Sequence, residues 1–345
     1  MKKIVFTGGG TAGHVMPNLA IIEELKGKAK IFYIGSKGVE KDIVKNNNIP
    51  FYEITSTKLK RNFSLSNFLI PFKLLKAIRQ SKKILKQLKP DAVFSKGGYV
   101  ALPVVIAAKK LKIKVITHES DITMGLANKL CKNKSDVICT SFESTAKNLK
   151  NGLFTGSPIR KQIFCGNKQN AKKLFSNFSQ KPTLLIVGGS LGSKVINETI
   201  FKSLDKLKNY NIIHLVGKGN VNNNYKMDNY VQLEFATNIE DLYSLADVVI
   251  SRAGSNSINE LLVLNKPNIL IPLSKKASRG DQILNAQYFK EKGYSKVIFE
   301  EDLSPYSLIK SIEQVLKNKQ KYIQNMQKSE VKLANQKIIN LLLND

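Results

Sequence analysis

The sequence predicts an α/β fold of two Rossmann-like domains facing each other across a cleft. Three observations predict it. Short β-branched runs give way again and again to turns and helical patterns, the whole pattern restarts near residue 183, and each half opens on strand, glycine-rich turn and helix. At 345 residues the chain is long enough for two such domains of about 150 residues each.

In the first half, Lys3 to Phe6, Lys30 to Gly35, Asp91 to Ser95, Lys114 to Glu119 and Asp136 to Thr140 read as strands. They are too continuously apolar for a sheet with one wet face, so helices are expected on both faces. The second set comprises Thr183 to Gly189, Asn211 to Gly217, Tyr230 to Phe235, Asp247 to Arg252 and Asn268 to Leu273. Helical patterns cover Lys194 to Leu207, Ile239 to Ala246, Ser257 to Leu264 and Gln282 to Lys292. The polar, basic stretch 156–182 reads as the crossing between domains followed by a short helix. Expected boundaries are 1–160, 161–325 and a terminal helix over 326–345 that packs back on the first domain.

Lys and Arg outnumber Asp and Glu by 55 to 26, a formal charge of +29. A chain this basic expects an anionic partner: nucleic acid, an anionic membrane surface or a phosphorylated substrate. The three cysteines, Cys131, Cys139 and Cys165, have neither metal-site spacing nor disulfide-scaffold density, which fits a reduced, cytoplasmic chain. The basic start is followed by only a short apolar run before glycines, and no apolar run is long enough to span a bilayer, so membrane association is expected to be peripheral.

The two glycine turns lie in IVFTGGGTAGHVMPNLAIIEEL and LLIVGGSLGSKVINETIFKSL. Such turns expose backbone N–H groups at a helix N-terminus, where phosphate binds. Gly8, Gly10 and Gly13 fit the dinucleotide fingerprint, but the next strand runs into Gly35, Ser36 and Lys37 without the acidic residue a ribose needs, and no GK[ST] follows either turn. No nucleotide cofactor is expected. A purely structural turn is the plainer alternative. His14, just beyond the glycines, is placed to take a proton or bind phosphate, or else simply caps the turn. His118 and Glu119 end a strand at the same rim and read as a polar pair or a strand-end contact; His214 reads as core. Lys96, Gly97, Gly98 and Tyr99 follow a strand, so the glycines admit a ligand and Lys96 meets its charge, unless this is an ordinary strand-to-helix turn. In SRAGSNSINELLV, Glu260 is suited to both hydroxyls of a ribose or to an exposed helix face, and Gln282 and Asn285 share a face suited to sugar hydroxyls. The histidines and cysteines are too scattered for a metal cluster, and none is expected.

Residues 58–89 carry ten Lys or Arg and no acid, interleaved with Leu65, Phe68, Leu69, Phe72, Leu75, Ile78, Ile84, Leu85 and Leu88. Part of that stripe must pack on the sheet. The rest reads as an interfacial element for anionic lipid headgroups, or as a solvated basic face. No aromatic stacking platform or recognition-helix module supports a specific nucleic-acid partner.

Seven collinear blocks, TGGGTAGHVMPNLAI, SKGGYVALPV, HESDITMGLANK, TGSPIR, VGGSLGSKVINE, ISRAGSNSINELL and GDQILNA, together resemble the MurG family of bacterial glycosyltransferases, in glycosyltransferase family 28. The resemblance implies the GT-B fold and inverting transfer of N-acetylglucosamine from UDP-N-acetylglucosamine to the C4 hydroxyl of undecaprenyl-diphosphate-N-acetylmuramyl-pentapeptide in peptidoglycan synthesis. It implies peripheral attachment to the cytoplasmic face of the cell membrane, through anionic lipids at residues 58–89, and partners among cell-wall synthesis proteins. By motif, Gly9, Gly10, Thr11, Gly13, Lys96, Gly98, Tyr99, His118 and Glu119 fall to the acceptor, with His14 as the base. Thr11, Gly13, Asn128, Arg160, Gly189, Ser190, Gly192, Arg252, Ala253, Gly254, Ser255, Glu260, Gln282 and Asn285 fall to the donor. The chain departs from the commonest family pattern at Ala12, at Ser120 and Asp121, at Leu191, and where RGDQ lacks the usual acidic residue. A transferase for another UDP-sugar or lipid acceptor, and a non-catalytic nucleotide-sugar or anionic-lipid binding protein, are the alternatives.

Overall fold

The computed structural model describes residues 1–56, 70–175, 178–189, 191–275, 278 and 280–344. The chain forms two compact units: Met1–Arg160 with Glu330–Asp345, and Lys161–Ser329.

The first unit runs β1 (Lys2–Thr7), α1 (Ala12–Leu25), β2 (Ala29–Gly35), α2 (Val39–Asn46), β3 (Phe51–Glu53), α3 (Ile70–Leu88), β4 (Ala92–Ser95), α4 (Ala101–Lys110), β5 (Lys114–Glu119), α5 (Leu126–Cys131), β6 (Val137–Thr140), α6 (Glu143–Lys147) and β7 (Gly152–Phe154). Its strands pair in parallel in the order β3-β2-β1-β4-β5-β6-β7. Both faces are covered, as continuously apolar strands require: Ile4 and Phe6 join one core cluster, and Val5 joins another with α3 and α4 residues. Phe6 and Phe94 pack at 5.5 Å between ring centroids on the first face.

The second unit runs α7 (Lys168–Lys172), β8 (Thr183–Val187), α8 (Lys194–Ser203), β9 (Asn211–Leu215), β10 (Tyr230–Leu233), α9 (Ile239–Leu245), β11 (Val248–Ser251), α10 (Ser255–Val263), β12 (Asn268–Leu270), α11 (Asp281–Glu291), β13 (Lys296–Val297), α12 (Pro305–Lys317) and α13 (Lys319–Gln327). Its parallel order is β10-β9-β8-β11-β12-β13. α12 starts on a capping box: Ser304 Oγ accepts from the Ser307 N–H, Ser307 answers to the Ser304 N–H, and Pro305 occupies the first turn where no donor is needed.

α14 (Ala334–Leu343) returns to the first unit, where Ile338, Ile339 and Leu342 share the core of α1. In its first turn, Asn335 accepts from the Ile159 N–H at 3.0 Å and donates to the Ile159 carbonyl at 2.8 Å and to Glu24 at 2.6 Å. Three strands carried no sequence signal. β3, β7 and β13 are two or three residues long and lie at sheet edges, too short for a periodicity to register. α10 begins at Ser255, two residues earlier than its apolar pattern suggests, because a glycine turn precedes it.

The basic stretch divides. Residues 57–69 lie outside the described residues, and with them Leu65, Phe68 and Leu69. From Ile70 the chain is helical: Ala77, Ser81 and Leu85 are buried, while Phe72 and Leu75 are 71% and 52% exposed. Among the described residues no helix is long and apolar enough to cross a membrane.

His214 sits in β9 with no exposure. The Asn197 side-chain oxygen 3.0 Å from Nε2 can only accept, so Nε2 carries the hydrogen and Nδ1 accepts from the Tyr230 hydroxyl at 2.9 Å. Burial pushes the imidazole down to about 3. Between pH 6.5 and 3 the unfolded chain therefore binds a proton that the folded unit refuses, and stability falls as pH falls through that window. His214→Gln removes this slope: the stability advantage of wild type over variant, from amide exchange of β9, shrinks by about 2 kcal/mol from pH 7 to pH 5. An advantage independent of pH contradicts the assignment.

Candidate functional site

In a parallel sheet the strand order reverses at one place, and there the following loops diverge to opposite faces and leave room for a ligand. In the first unit that place lies between β1 and β4, and the loops are residues 8–11 and 96–99. They touch closely. A Cβ on Gly98 would overlap the Gly9 carbonyl and one on Gly10 would overlap the Tyr99 ring, so neither position accepts a larger residue; Gly10 also has φ +84°.

Behind the loop lies a carboxylate that the sequence pattern did not reveal. The acidic residue missing from the end of β2 has a counterpart at Glu40 in α2, wholly buried. Its Oε2 accepts from the Gly10 N–H at 3.1 Å, and its Oε1 accepts from the Ser36 N–H at 3.0 Å and hydroxyl at 2.5 Å. The Gly10 amide, expected to face a diphosphate, therefore points inward. Burial and the Glu40 charge raise the Tyr99 phenol above its ordinary value, and Ser36 only partly offsets them.

Thr11 and Gly13 are exposed at the start of α1, with His14 half-buried beside them. His14 Nδ1 lies 3.0 Å from Thr11 Oγ1. When Nδ1 donates in that bond, Nε2 is left with its lone pair, the state a base requires.

Lys96, His118, Glu119 and Asn128 form one buried cluster, none more than 6% exposed. The Lys96 ammonium donates to His118 Nδ1 at 2.9 Å and to the Ser120 hydroxyl, so it turns inward and does not meet ligand charge from the surface. His118 Nε2 then donates to the Gly156 carbonyl at 2.9 Å. His118 and Glu119 are not each other's partners, because successive residues of a strand point to opposite faces. Glu119 instead accepts from the N–H groups of Ser120, Asp121 and Gly125 and from the Asn128 amide at 2.8 Å, shaping the loop after β5. Asn128 is thus tied to Glu119 and to the His118 carbonyl. Burial, with the Lys96 charge, holds His118 well below its ordinary value; burial lowers Lys96 to about 8 and raises Glu119. Arg160 ends the first segment of this unit and is half-buried.

In the second unit the order reverses between β8 and β11, and the loops are residues 188–193 and 252–254. Ser190 lies outside the described residues. Gly189 and Gly192 have φ +101° and +76°, and a Cβ on Gly192 would overlap the Val216 carbonyl. Arg252 spans the two loops from inside: it donates to Ser193 Oγ and to Glu300, both at 2.6 Å, and to the Ile271 carbonyl at 3.1 Å. Burial pushes the Glu300 carboxyl up, but the Arg252 bond and charge more than cancel this and leave it below the usual carboxylate range. Arg252 is therefore a scaffold for the loop. Gly254 and Ser255 begin α10, and the Asn285 amide reaches the carbonyl of buried Ala253 at 3.3 Å. Glu260 is half-buried on α10, its Oε2 3.4 Å from the Tyr243 hydroxyl, and Gln282 accepts from the Leu273 N–H at 3.0 Å. Among the described residues no group of three or more His, Cys, Asp or Glu side chains is placed to hold a metal.

Residues 4–139 match the glycosyltransferase family 28 N-terminal domain, and residues 183–342 match the family's C-terminal domain. A Clostridium perfringens UDP-N-acetylglucosamine–N-acetylmuramyl-(pentapeptide) pyrophosphoryl-undecaprenol N-acetylglucosamine transferase is 51% identical over 348 residues, covering 99% of this chain and 97% of that protein. The chain belongs to glycosyltransferase family 28. A Clostridium botulinum transferase of the same name is 52% identical over 338 residues, 96% of each chain. The crystal structure of Acinetobacter baumannii MurG aligns over 100% of both chains with a TM-score of 0.80 at 27% identity. The fold is thus GT-B, and both order reversals lie within the matched spans.

Sequence reasoning missed Glu40, Tyr243 and Glu300. Each is remote in sequence from the loop it serves and carries no spacing signal. Lys96 offers a direct check on the buried cluster. With a folded value near 8 and an unfolded one near 10.5, the unfolded state binds the extra proton in between, so this residue's contribution to stability rises with pH through that window. Against Lys96→Met, wild type gains about 2 kcal/mol from pH 8 to pH 10 in urea unfolding. Parallel pH profiles for the two proteins contradict burial of the ammonium.

Proposed function

We propose that this chain transfers N-acetylglucosamine from UDP-N-acetylglucosamine to the C4 hydroxyl of undecaprenyl-diphosphate-linked N-acetylmuramyl-pentapeptide. The observation that carries this reading is the end-to-end match, at about half of all positions, to transferases named for that reaction. The geometry supplies the parts. The acceptor oxygen attacks the anomeric carbon from the face opposite UDP, its bond to carbon forms as the carbon–oxygen bond to the diphosphate breaks, and UDP leaves with the electron pair. The anomeric configuration inverts. The hydroxyl proton passes to His14 Nε2, with Thr11 Oγ1 accepting from Nδ1–H and fixing the ring. Thr11, Gly13 and the backbone around Gly9 serve the acceptor diphosphate, with Tyr99 and Gly98 shaping the loop behind.

At the other substrate, charge growing on the departing diphosphate is met by the loop of Gly189 to Ser193 and the N-terminus of α8, whose aligned N–H groups favour an anion. Ser190 and Arg160 are assigned to the donor on motif. Glu260 takes the ribose hydroxyls, held by Tyr243, and Gln282 lies by the transferred sugar while Asn285 supports the turn at Ala253. Lys96, His118, Glu119 and Asn128 act from behind, by holding the loops after β4 and β5.

The protein works at the cytoplasmic face of the membrane as a peripheral enzyme. In α3, Phe72 and Leu75 lie with Lys76, Arg79 and Lys83 on exposed positions, an apolar and cationic combination suited to anionic headgroups. Lys76→Glu, Arg79→Glu and Lys83→Glu together weaken sedimentation with phosphatidylglycerol vesicles at least 100-fold, at about 1 kcal/mol per cation removed. Unchanged binding rules out this face.

Transfer of radiolabelled N-acetylglucosamine to the lipid acceptor, in detergent with EDTA, tests the reaction. His14→Ala lowers kcat by about 10² to 10⁴, and a loss below fivefold removes His14 as base. Glu260→Ala raises KM for UDP-N-acetylglucosamine about 10- to 100-fold and leaves acceptor KM unchanged, as expected for loss of charge-assisted bonds to one substrate. Donor binding without turnover in wild type favours the non-catalytic alternative.

A further inference from the structure

Glu40 is a buried anion directly behind a loop proposed to bind an anion, an arrangement that costs charge repulsion and so calls for a reason. Among the described residues no cation pairs with it; its oxygens meet the Gly10 N–H, the Ser36 N–H and the Ser36 hydroxyl. The space for it is made of glycine: a Cβ on Gly9 would lie 2.5 Å from its carboxyl carbon and one on Gly38 2.5 Å from Oε2. On its other side the same loop rests on the Tyr99 ring, which a Cβ on Gly10 would overlap. One carboxylate therefore joins the loops after β1 and β2 through a single connected set of hydrogen bonds.

We propose that Glu40 is a positioning residue for acceptor binding: it pins the Gly9–Gly10 segment by drawing the Gly10 amide inward, and its charge limits how deeply the acceptor diphosphate can enter. The proposal rests on the reading of this loop as the acceptor site. A glycine segment has the widest choice of backbone conformations, so a fixed shape needs an anchor. A carboxylate can be that anchor because both oxygens only accept. In Glu40→Gln the amide must face either the Gly10 N–H or the Ser36 N–H, donor against donor. In Glu40→Asp the charge stays but the reach is one methylene shorter.

Both variants are compared with wild type in two measurements. Amide exchange of residues 7–13 is expected to quicken at least tenfold, while β5 and the second unit keep wild-type rates. In the transfer assay, kcat/KM for the lipid acceptor falls about 10- to 100-fold and KM for UDP-N-acetylglucosamine stays within about twofold, the size expected from misplacing a bound group by about 1 Å. Unchanged loop exchange overturns the proposal. So does quickened exchange throughout the first unit, which makes Glu40 an ordinary core residue, or a freed loop with unchanged acceptor kinetics. Quickened loop exchange in a protein whose wild type transfers no N-acetylglucosamine overturns the acceptor role and the proposed reaction while leaving the anchor in place.

Discussion

Everything in this protein that bears on chemistry follows from the reversal of strand order in a parallel sheet. Every strand points its carboxyl end to the same edge, and at β1/β4 and at β8/β11 the chain leaves in opposite directions. The gap so formed is filled by backbone, because only backbone is thin enough and carries donors at the required density. The two units solve this with unrelated side chains: in the first the glycine loop lies against the loop from the strand across the reversal, in the second Arg252 bridges the two loops, and in each an inward-turned charged side chain holds the glycine loop in place.

That inner group differs in charge. In the first unit it is a carboxylate, Glu40, gripping a backbone amide; in the second it is a guanidinium, Arg252, gripping Ser193 and neutralised by Glu300. Arginine can reach several acceptors at once through its planar fork, so one side chain bridges two loops and a carbonyl beyond them. The carboxylate can only accept, so it has to be met by amides and hydroxyls that converge on it. In both cases the ionised group sits where a bare charge would be costly, and several hydrogen bonds satisfy it.

The buried cluster of Lys96, His118 and Glu119 obeys the same rule. Its polar residues are the ones most readily mistaken for ligands in a sequence, since they end strands at the functional edge. Their partners are protein groups: each ring nitrogen of His118 and each oxygen of Glu119 is engaged inside the unit. Such residues govern function through the shape of the loops after β4 and β5. The net charge of +29 lies elsewhere, largely on exposed lysines such as those of α3, where it acts over distance.

By itself the sequence determined the fold class, the order of the longer strands and helices, and the sites of both glycine loops. These are local properties: hydrophobic runs of five or six residues, and glycines that follow a strand and open a helix, leave a pattern that can be read along the chain. The family was equally legible, because its blocks are contiguous. Tertiary structure alone decided which polar residues face inward. Glu40 meets Gly10 across 30 residues and Arg252 meets Glu300 across 48, and no periodicity encodes such encounters. It also decided the short edge strands, whose pairing depends on a neighbour already in place. A residue's type limits the bonds it can make, but burial and the geometry of convergence, which exist only once the sheets have formed, choose among them.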